Sequence, residues 1–326
     1  MNNVFISVLM TSYNCASYIR QAVQSILNQT YKDLELVIID DGSNDNTEEI
    51  ISAFSDSRIK YKKISHYGRS NALNYGLSIC NSDWISIADA DDIAHPLKLE
   101  KQISLLSGTE NEICFTDSAF FKGSKILFVI ENNFNSMTVN NILALHGHFN
   151  NSTFLFNKSH ILKYGGYKES LETFEDYDLW LRIKDNSKFI FVKETLQFSR
   201  IRNNSLTSGN LKLSKKNIYE IQKPHYLNVE RYFGIEELYE QISFKGWREF
   251  FYGNKNLCRD YWNKINLNKW NSRMFLAYLI SFFPADFVNY FNKLKVRLRL
   301  KYLFDKKTKF KGLDKEFHKL LKEVSR

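Results

Sequence analysis

Leu34-Glu35-Leu36-Val37-Ile38-Ile39-Asp40 runs straight into Asp41-Gly42-Ser43, and the fold is decided on this stretch. An apolar run of strand length without polar alternation reads as a strand buried on both faces. The residues after it carry turn chemistry, with Gly42 able to take a positive φ. A strand buried on both faces needs helices above and below it, and the neighbouring sequence supplies them. Upstream, Phe5–Thr11 (FISVLMT) is a second apolar strand, and Ala16–Asn28 has helical spacing through Ile19, Val23, Ile26 and Leu27. Downstream, Asp45-x-x-Glu48 reads as a capping box opening a helix. Ile59–Lys63 is a weaker strand, Ser70–Cys80 a helix and Trp84–Ala88 (WISIA) a further strand. This alternation predicts an α/β fold with a mostly parallel, Rossmann-like sheet flanked by helices. Such sheets bind ligands beyond the carboxyl ends of their strands, which selects Thr11 to Asn14, Asp40 to Gly42 and Asp89 to Asp92.

From about Glu112 to Ile201, short strands (Ile113–Thr116, Lys125–Ile130, Thr153–Phe156, Phe189–Val192) mix with short helices and read as the second half of the same domain. From about Leu211 the pattern is helical and rich in aromatics. The expected division is therefore 1–210 for the sheet domain and 211–326 for a helical C-terminal region with a basic amphipathic tail. Cys15, Cys80, Cys114 and Cys258 form no CxxC pair, which argues against a zinc site or a disulfide framework and fits a reducing compartment. No secretory signal is visible at the N-terminus.

The formal charge of +9 is concentrated. Lys293 to Arg326 holds 13 basic and 4 acidic residues, and the rest of the chain is neutral. A basic tail points to an anionic surface as partner. Phe287, Tyr290, Phe291, Leu294 and Leu298 recur at helical spacing among those cations, as in a helix lying in a membrane interface, although Lys293 to Lys301 also alternates as a strand would, and a helix packed on the sheet domain with its basic face in solvent is the competing reading. Met274–Phe283 (MFLAYLISFF) is apolar, but ten residues fall short of the roughly 20 that a spanning helix needs. Nucleic acid is the rival anionic partner, and no binding module for it is recognised.

Asp89-Ala90-Asp91-Asp92 follows WISIA directly. Carboxylates packed this closely repel unless a cation or hydrogen-bond donors compensate them. Hard oxygen ligands beside a phosphate suit Mg2+ or Mn2+, although an acidic turn capping the next helix has the same composition. Asp40-Asp41-Gly42-Ser43 ends a strand of the same sheet, where a carboxylate can accept hydrogen bonds from a nucleobase or ribose. Thr11-Ser12-Tyr13-Asn14 adds a hydroxyl and an aromatic face.

Taken together, Val8-Leu9-Met10-Thr11-Ser12-Tyr13-Asn14, Ser25-Ile26-Leu27-Asn28-Gln29-Thr30, Val37-Ile38-Ile39-Asp40-Asp41-Gly42-Ser43 and Asp89-Ala90-Asp91-Asp92, with the spacings between them, resemble glycosyltransferase family 2 over about residues 4 to 208. The resemblance implies a GT-A fold, a nucleotide-diphosphate-sugar donor, a divalent cation (Mn2+ or Mg2+) and inversion at the anomeric carbon. By position, Thr11, Tyr13 and Asp41 would contact the nucleoside. Asp89 would approach the ribose or the metal, and Asp91 would coordinate the metal. Gly68 to Gly76 resembles the family's donor-contacting helix start, with Arg69 placed for a phosphate. Arg69 could equally be a surface arginine. Phe174-Glu175-Asp176-Tyr177-Asp178-Leu179-Trp180-Leu181-Arg182 resembles the family's ED segment, which makes Asp176 the general base. The competing reading has Glu175 and Asp178 capping a helix and Trp180 in the core.

Two features depart from the family pattern. Arg202 stands where members often carry a histidine near the metal or phosphate, and no Gln-x-x-Arg-Trp follows. The second disfavours the processive branch. The expected function is a non-processive hexosyl transfer, with a UDP-sugar as donor and a glycan or lipid-linked saccharide as acceptor. It would act in surface polysaccharide biosynthesis at the cytoplasmic face of the cell membrane. The rival readings are a nucleotidyltransferase of sugar phosphates and a catalytically degenerate membrane-associated assembly factor. SYNCASY lacks the glycines of a phosphate loop, which disfavours the first.

Overall fold

A computed structural model describes residues 4–131, 150–202, 211–226, 238–283 and 311–325. The chain divides into two compact units. The first comprises residues 1–139, 148–203 and 307–326, and the second comprises 140–147 and 204–306.

The first unit is built on a nine-stranded sheet. Its strands are β1 (Ile6–Ser12), β2 (Leu34–Asp40), β3 (Ile59–Lys63), β4 (Trp84–Asp89), β5 (Ile93–Ala94), β6 (Glu112–Lys122), β7 (Lys125–Ile130), β8 (Leu155–Asn157) and β9 (Lys188–Arg200). They lie in the order β3-β2-β1-β4-β8-β6-β9-β5, with β7 paired to β6. The pairs β3-β2, β2-β1, β1-β4 and β6-β9 are parallel; β8, β5 and β7 pair antiparallel to their neighbours. Every residue of β1 and β2 is buried, as strands covered on both faces require. The edge strand β3 is half-exposed and carries Lys60, Lys62 and Lys63, charges that discourage pairing with another chain.

Helices α1 (Ile19–Leu27), α2 (Thr47–Ser52), α3 (Arg69–Ile79), α4 (Lys98–Leu105), α5 (Lys158–Lys163) and α6 (Glu175–Ile183) accompany the sheet. The approach of α3 is set by Gly76: a Cβ there would lie 2.2 Å from Leu9 Cδ1. The capping box expected at Asp45 does not close. Asp45 accepts from Thr47 N at 3.1 Å, but Glu48 turns outward to Lys63 at 3.0 Å. The helix starts one residue later, with Asn46 at its N-cap, so Asp45 and Glu48 do not hold the two positions that a capping box needs.

The second unit contains α7 (Leu211–Tyr226), α8 (Leu238–Tyr252), α9 (Lys255–Asn263) and α10 (Ser272–Ile280). Its core gathers Phe250, Cys258, Trp262, Ile265, Met274 and Ala277. Asn254 and Asn271 cap α9 and α10 through Asn256 N and Met274 N, both at 2.8 Å.

The last helix, α11 (Lys311–Val324), packs with the first unit, whereas a division at residue 210 assigns it to the helical region. Phe317, Leu320 and Val324 are buried with Ile93, Ala119, Phe121, Ile126 and Phe198, and the Phe317 ring lies 4.7 Å from Phe121 and 4.8 Å from Phe198. Apolar burial at a spacing of three and four fixes this helix, and Lys315, Lys319 and Lys322 stay outside. The part of the basic tail from residue 284 to 310, including the apolar positions read as an interfacial helix, lies outside the described residues.

Candidate active site

Strand register brings the acidic strand ends together. Thr11 of β1 pairs with Asp89 of β4, and Ser12 pairs with Asp40 of β2. Asp40 is buried and braces its own turn, accepting from Ser43 N at 2.8 Å and from the Tyr61 hydroxyl at 2.7 Å.

Asp41, expected at the nucleoside, spends its carboxylate on the loop before α3. It accepts from Tyr67 N at 2.9 Å, Gly68 N at 3.0 Å and His66 Nδ1 at 2.8 Å. Gly42 is required beside it, because φ is +77° and a Cβ would meet His66 N at 3.0 Å. The exposed Tyr13 ring stacks on His66 at 4.1 Å with planes 10° apart, so Asp41 also fixes an aromatic platform at the mouth of the site. His66 was invisible in the sequence, where it is one histidine in a loop.

The centre of the site is Arg69, at the first turn of α3. Its Nη2 donates to Asp89 Oδ1 at 2.5 Å, its Nε to Glu175 Oε1 at 2.7 Å and its Nη1 to Thr11 Oγ1 at 3.3 Å. The surface reading of this arginine is excluded. Burial works against its charge, yet Asp89 and Glu175 beside it hold its pKa well above the ordinary arginine value. Glu175 is therefore an ion-pair partner drawn from a residue 106 positions away, not merely a helix cap. Burial pushes Glu175 up to about 7 against the pull of Arg69.

Asp176 follows on α6, whose start is made by Phe174 in the left-handed region at φ +63°. Burial raises the Asp176 carboxyl to about 6, Arg69 opposes that rise and Asp89 adds to it. One oxygen of Asp176 accepts from Tyr177 N at 2.7 Å. Asp178, by contrast, is structural: Lys168 and Arg182 each pair with it at 2.6 Å. Trp180 is fully buried and stacks on Phe154 at 4.1 Å, in the core as expected.

Asp91 lies 2.6 Å from Arg202 Nε, a charge contact without an aligned N–H. Burial, then Asp89, raise the Asp91 carboxyl, while Arg202 and Arg69 oppose the rise. Asp92 has another task. It accepts from Ser199 Oγ at 2.7 Å, Arg200 N at 2.8 Å and Ser152 Oγ at 3.1 Å, which ties the acidic turn to β9. Behind it the buried Lys98 donates to Ser152 O and to Gln197 Oε1 at 3.3 Å, and burial lowers its pKa to about 8. Asp89, Asp91, Glu175 and Asp176 thus face Arg69 and Arg202, and Arg200 reaches the same turn, its Nε donating to Asp91 O at 2.9 Å. Four carboxyls against three guanidiniums leave room for a further positive charge.

Among the described residues no three Asp, Glu, His or Cys side chains converge as a ready-made metal cage. The donor set present is Asp89 and Asp91, hard oxygens that suit a divalent ion completing its shell with substrate phosphates.

Residues 7–165 match the family model described as glycosyl transferase family 2. The O-antigen biosynthesis glycosyltransferase WbnJ of Escherichia coli is 34% identical over 209 residues, covering 61% of this chain and 81% of that protein. The chain belongs to glycosyltransferase family 2. Some relatives are longer: the chain spans 36% of an uncharacterized glycosyltransferase of Rickettsia felis, at 29% identity. In fold it is similar to TarS of S. aureus in complex with UDP-GlcNAc (TM-score 0.59, 15% identity, covering 99% of this chain and 92% of that one). It is also similar to the mannosyltransferase PcManGT of Pyrobaculum calidifontis in complex with GDP-Man and Mn2+ (TM-score 0.56, 12% identity, covering 98% and 85%). The mostly parallel sheet flanked by helices is thus that of GT-A transferases.

Proposed function

We propose that the protein is an inverting glycosyltransferase. It moves one sugar from a nucleotide-diphosphate sugar, a UDP-sugar, to a hydroxyl of a growing, lipid-linked surface glycan at the cytoplasmic face of the membrane. The observation that carries the proposal is the Arg69 bridge. One guanidinium holds Thr11, Asp89 and Glu175, which draws the β1 end, the acidic turn and the ED helix into a single site.

In that site the Tyr13–His66 stack offers a planar surface to a nucleobase, and Asp41 keeps the supporting loop in place. Thr11 and Arg69 lie toward the ribose and diphosphate. A divalent cation, Mn2+ or Mg2+, held by Asp91 and Asp89 together with the donor phosphates, would offset charge on the diphosphate. Asp176 accepts the proton of the acceptor hydroxyl. As it does so, that oxygen forms the new bond to the anomeric carbon from the face opposite the diphosphate, and the bond to phosphate breaks with inversion. A carboxyl near 6 is well poised as a base at neutral pH, ionised yet more basic than an ordinary aspartate. UDP-GlcNAc bound to TarS, GDP-Man with Mn2+ on PcManGT and the O-antigen role named for WbnJ support a nucleotide-sugar donor, a metal and a surface-glycan acceptor.

The test is a screen of nucleotide sugars for metal-dependent turnover, followed by NMR of the product anomer. Asp176→Asn should keep donor affinity and lose transfer by about 10²–10⁴-fold. A retained anomeric configuration, or loss of donor affinity in Asp176→Asn, overturns the assignment.

A further inference from the structure

Helix α10 is apolar on two opposite sides, and the second unit covers only one. Met274 and Ala277 are buried against Phe250, Cys258, Trp262 and Ile265. On the other side Phe275 and Leu276 are each 54% exposed, Leu279 is 46% exposed, and Phe282 in the turn that follows is 62% exposed. At about 100° per residue, Phe275, Leu279 and Phe282 fall on one narrow stripe, with Leu276 beside it. A surface helix of a protein bathed in water carries polar residues there. A contiguous apolar stripe marks a surface that something else covers.

The border of the stripe indicates its partner. Trp270 and Tyr278 pack beside it with ring centroids 5.0 Å apart, and Trp270 lies 6.4 Å from Phe275. Such amphipathic rings favour the boundary between hydrocarbon and water. The Arg259 guanidinium sits 4.4 Å over the Phe282 ring and donates to Ser281 O at 2.8 Å. From Lys255 to Ile280 the chain has five basic residues and one acidic residue, a net of +4. Apolar side chains bordered by Trp270, Tyr278 and Arg259, in a segment of net positive charge, match an anionic bilayer surface, where burial and headgroup attraction act together. A groove for a folded partner would be concave, whereas this is the outer side of a single helix. Among the described residues no helix is long and apolar enough to cross a membrane, so the element lies in the interface plane.

We propose that Phe275, Leu276, Leu279 and Phe282 of α10 seat the protein in an anionic lipid surface, with Arg259 at the headgroup phosphates. The inference deepens, and rests on, the membrane location in the proposed function. It moves the anchor from the basic tail, whose final helix α11 turns its own apolar side into the first unit.

Co-sedimentation of the full chain with phosphatidylcholine vesicles, with and without phosphatidylglycerol, tests it. Wild type pellets with the anionic vesicles. Phe275→Ser, Leu279→Ser and Phe282→Ser combined should lower vesicle affinity at least about tenfold, with donor hydrolysis in solution unchanged. If that variant pellets like wild type, the α10 assignment is overturned while the membrane location stands. If wild type does not pellet, both fall. If light scattering shows a wild-type dimer that the variant breaks into monomers, a second copy covers the stripe and the lipid proposal is overturned. A readout that does not depend on the triple variant folding is Leu279→Cys carrying a polarity-sensitive fluorophore. The native cysteines are all buried, so labelling is selective. Emission should rise on adding anionic vesicles, and unchanged emission overturns the proposal.

Discussion

Arg69→Gln removes the charge that three segments share, and its consequences can be worked out from the contacts. The side chain holds Asp89 at 2.5 Å and Glu175 at 2.7 Å, and it pulls the Asp176 pKa down. Breaking a largely buried ion pair by deleting one partner costs about 3–5 kcal/mol, because the other charge is left uncompensated. Part of that cost is recovered by protonating Glu175, which burial has already pushed up to about 7. The stability deficit of the variant should therefore be greatest above neutral pH and shrink as pH falls. The catalytic effect has a definite sign. Asp176 accepts a proton only when ionised, so the wild-type rate falls as pH drops through about 6. Without the neighbouring cation the neutral acid is favoured, and the acid limb should move up by about 1–3 pH units. The assay is kcat against pH at saturating donor and metal, with thermal melts across the same range. An acid limb that stays in place or moves down would refute the idea that Arg69 tunes the base.

Four further outcomes are expected. Asp91→Asn should abolish metal-dependent donor turnover while leaving the fold intact by circular dichroism; undiminished turnover would remove Asp91 from the metal. Tyr13→Ala should weaken nucleotide binding by about 1–3 kcal/mol, the usual worth of one base–aromatic stack, as read by calorimetry with the free nucleotide. Gly76→Ala should destabilise the first unit by about 1–3 kcal/mol, since its methyl would overlap Leu9, and denaturant titration would reveal it. Phe317→Ala should cost about 3–5 kcal/mol by opening a cavity between Phe121 and Phe198; an unchanged denaturation midpoint would mean that α11 is dispensable.

Three strands could be read directly from the sequence, two from apolar runs and Ile59–Lys63 from a weaker alternation. Leu34–Asp40, Ile59–Lys63 and Lys125–Ile130 have the bounds that their composition predicts. β6 and β9 run much further than Ile113–Thr116 and Phe189–Val192, because bulges near Asp117 let polar residues stay in the ladder. A bulge leaves no periodic mark in a sequence. At the site, the acidic turn and the ED segment could be recognised as motifs. The choice of partners could not: whether Arg69 meets solvent, phosphate or Glu175 depends on α6 arriving beside α3, and Asp41 looks equally free to meet a ligand or to bind Tyr67 and Gly68. For the basic tail the sequence left membrane contact and packing on the sheet domain both open, and α11 takes the second. Its lysines dominate the composition, while Phe317, Leu320 and Val324 decide where it goes.

That docking also bears on how the molecule is made. Phe121 of β6 and Phe198 of β9 receive Phe317 only after residues 204–306 of the second unit have left the ribosome. During that interval Phe121 and Phe198 lack the side chain that later covers them, so a nascent chain stalled before α11 should be more prone to chaperone capture and proteolysis than one in which α11 has emerged. The core of the first unit is thus closed by a helix that is made after the whole of the second unit.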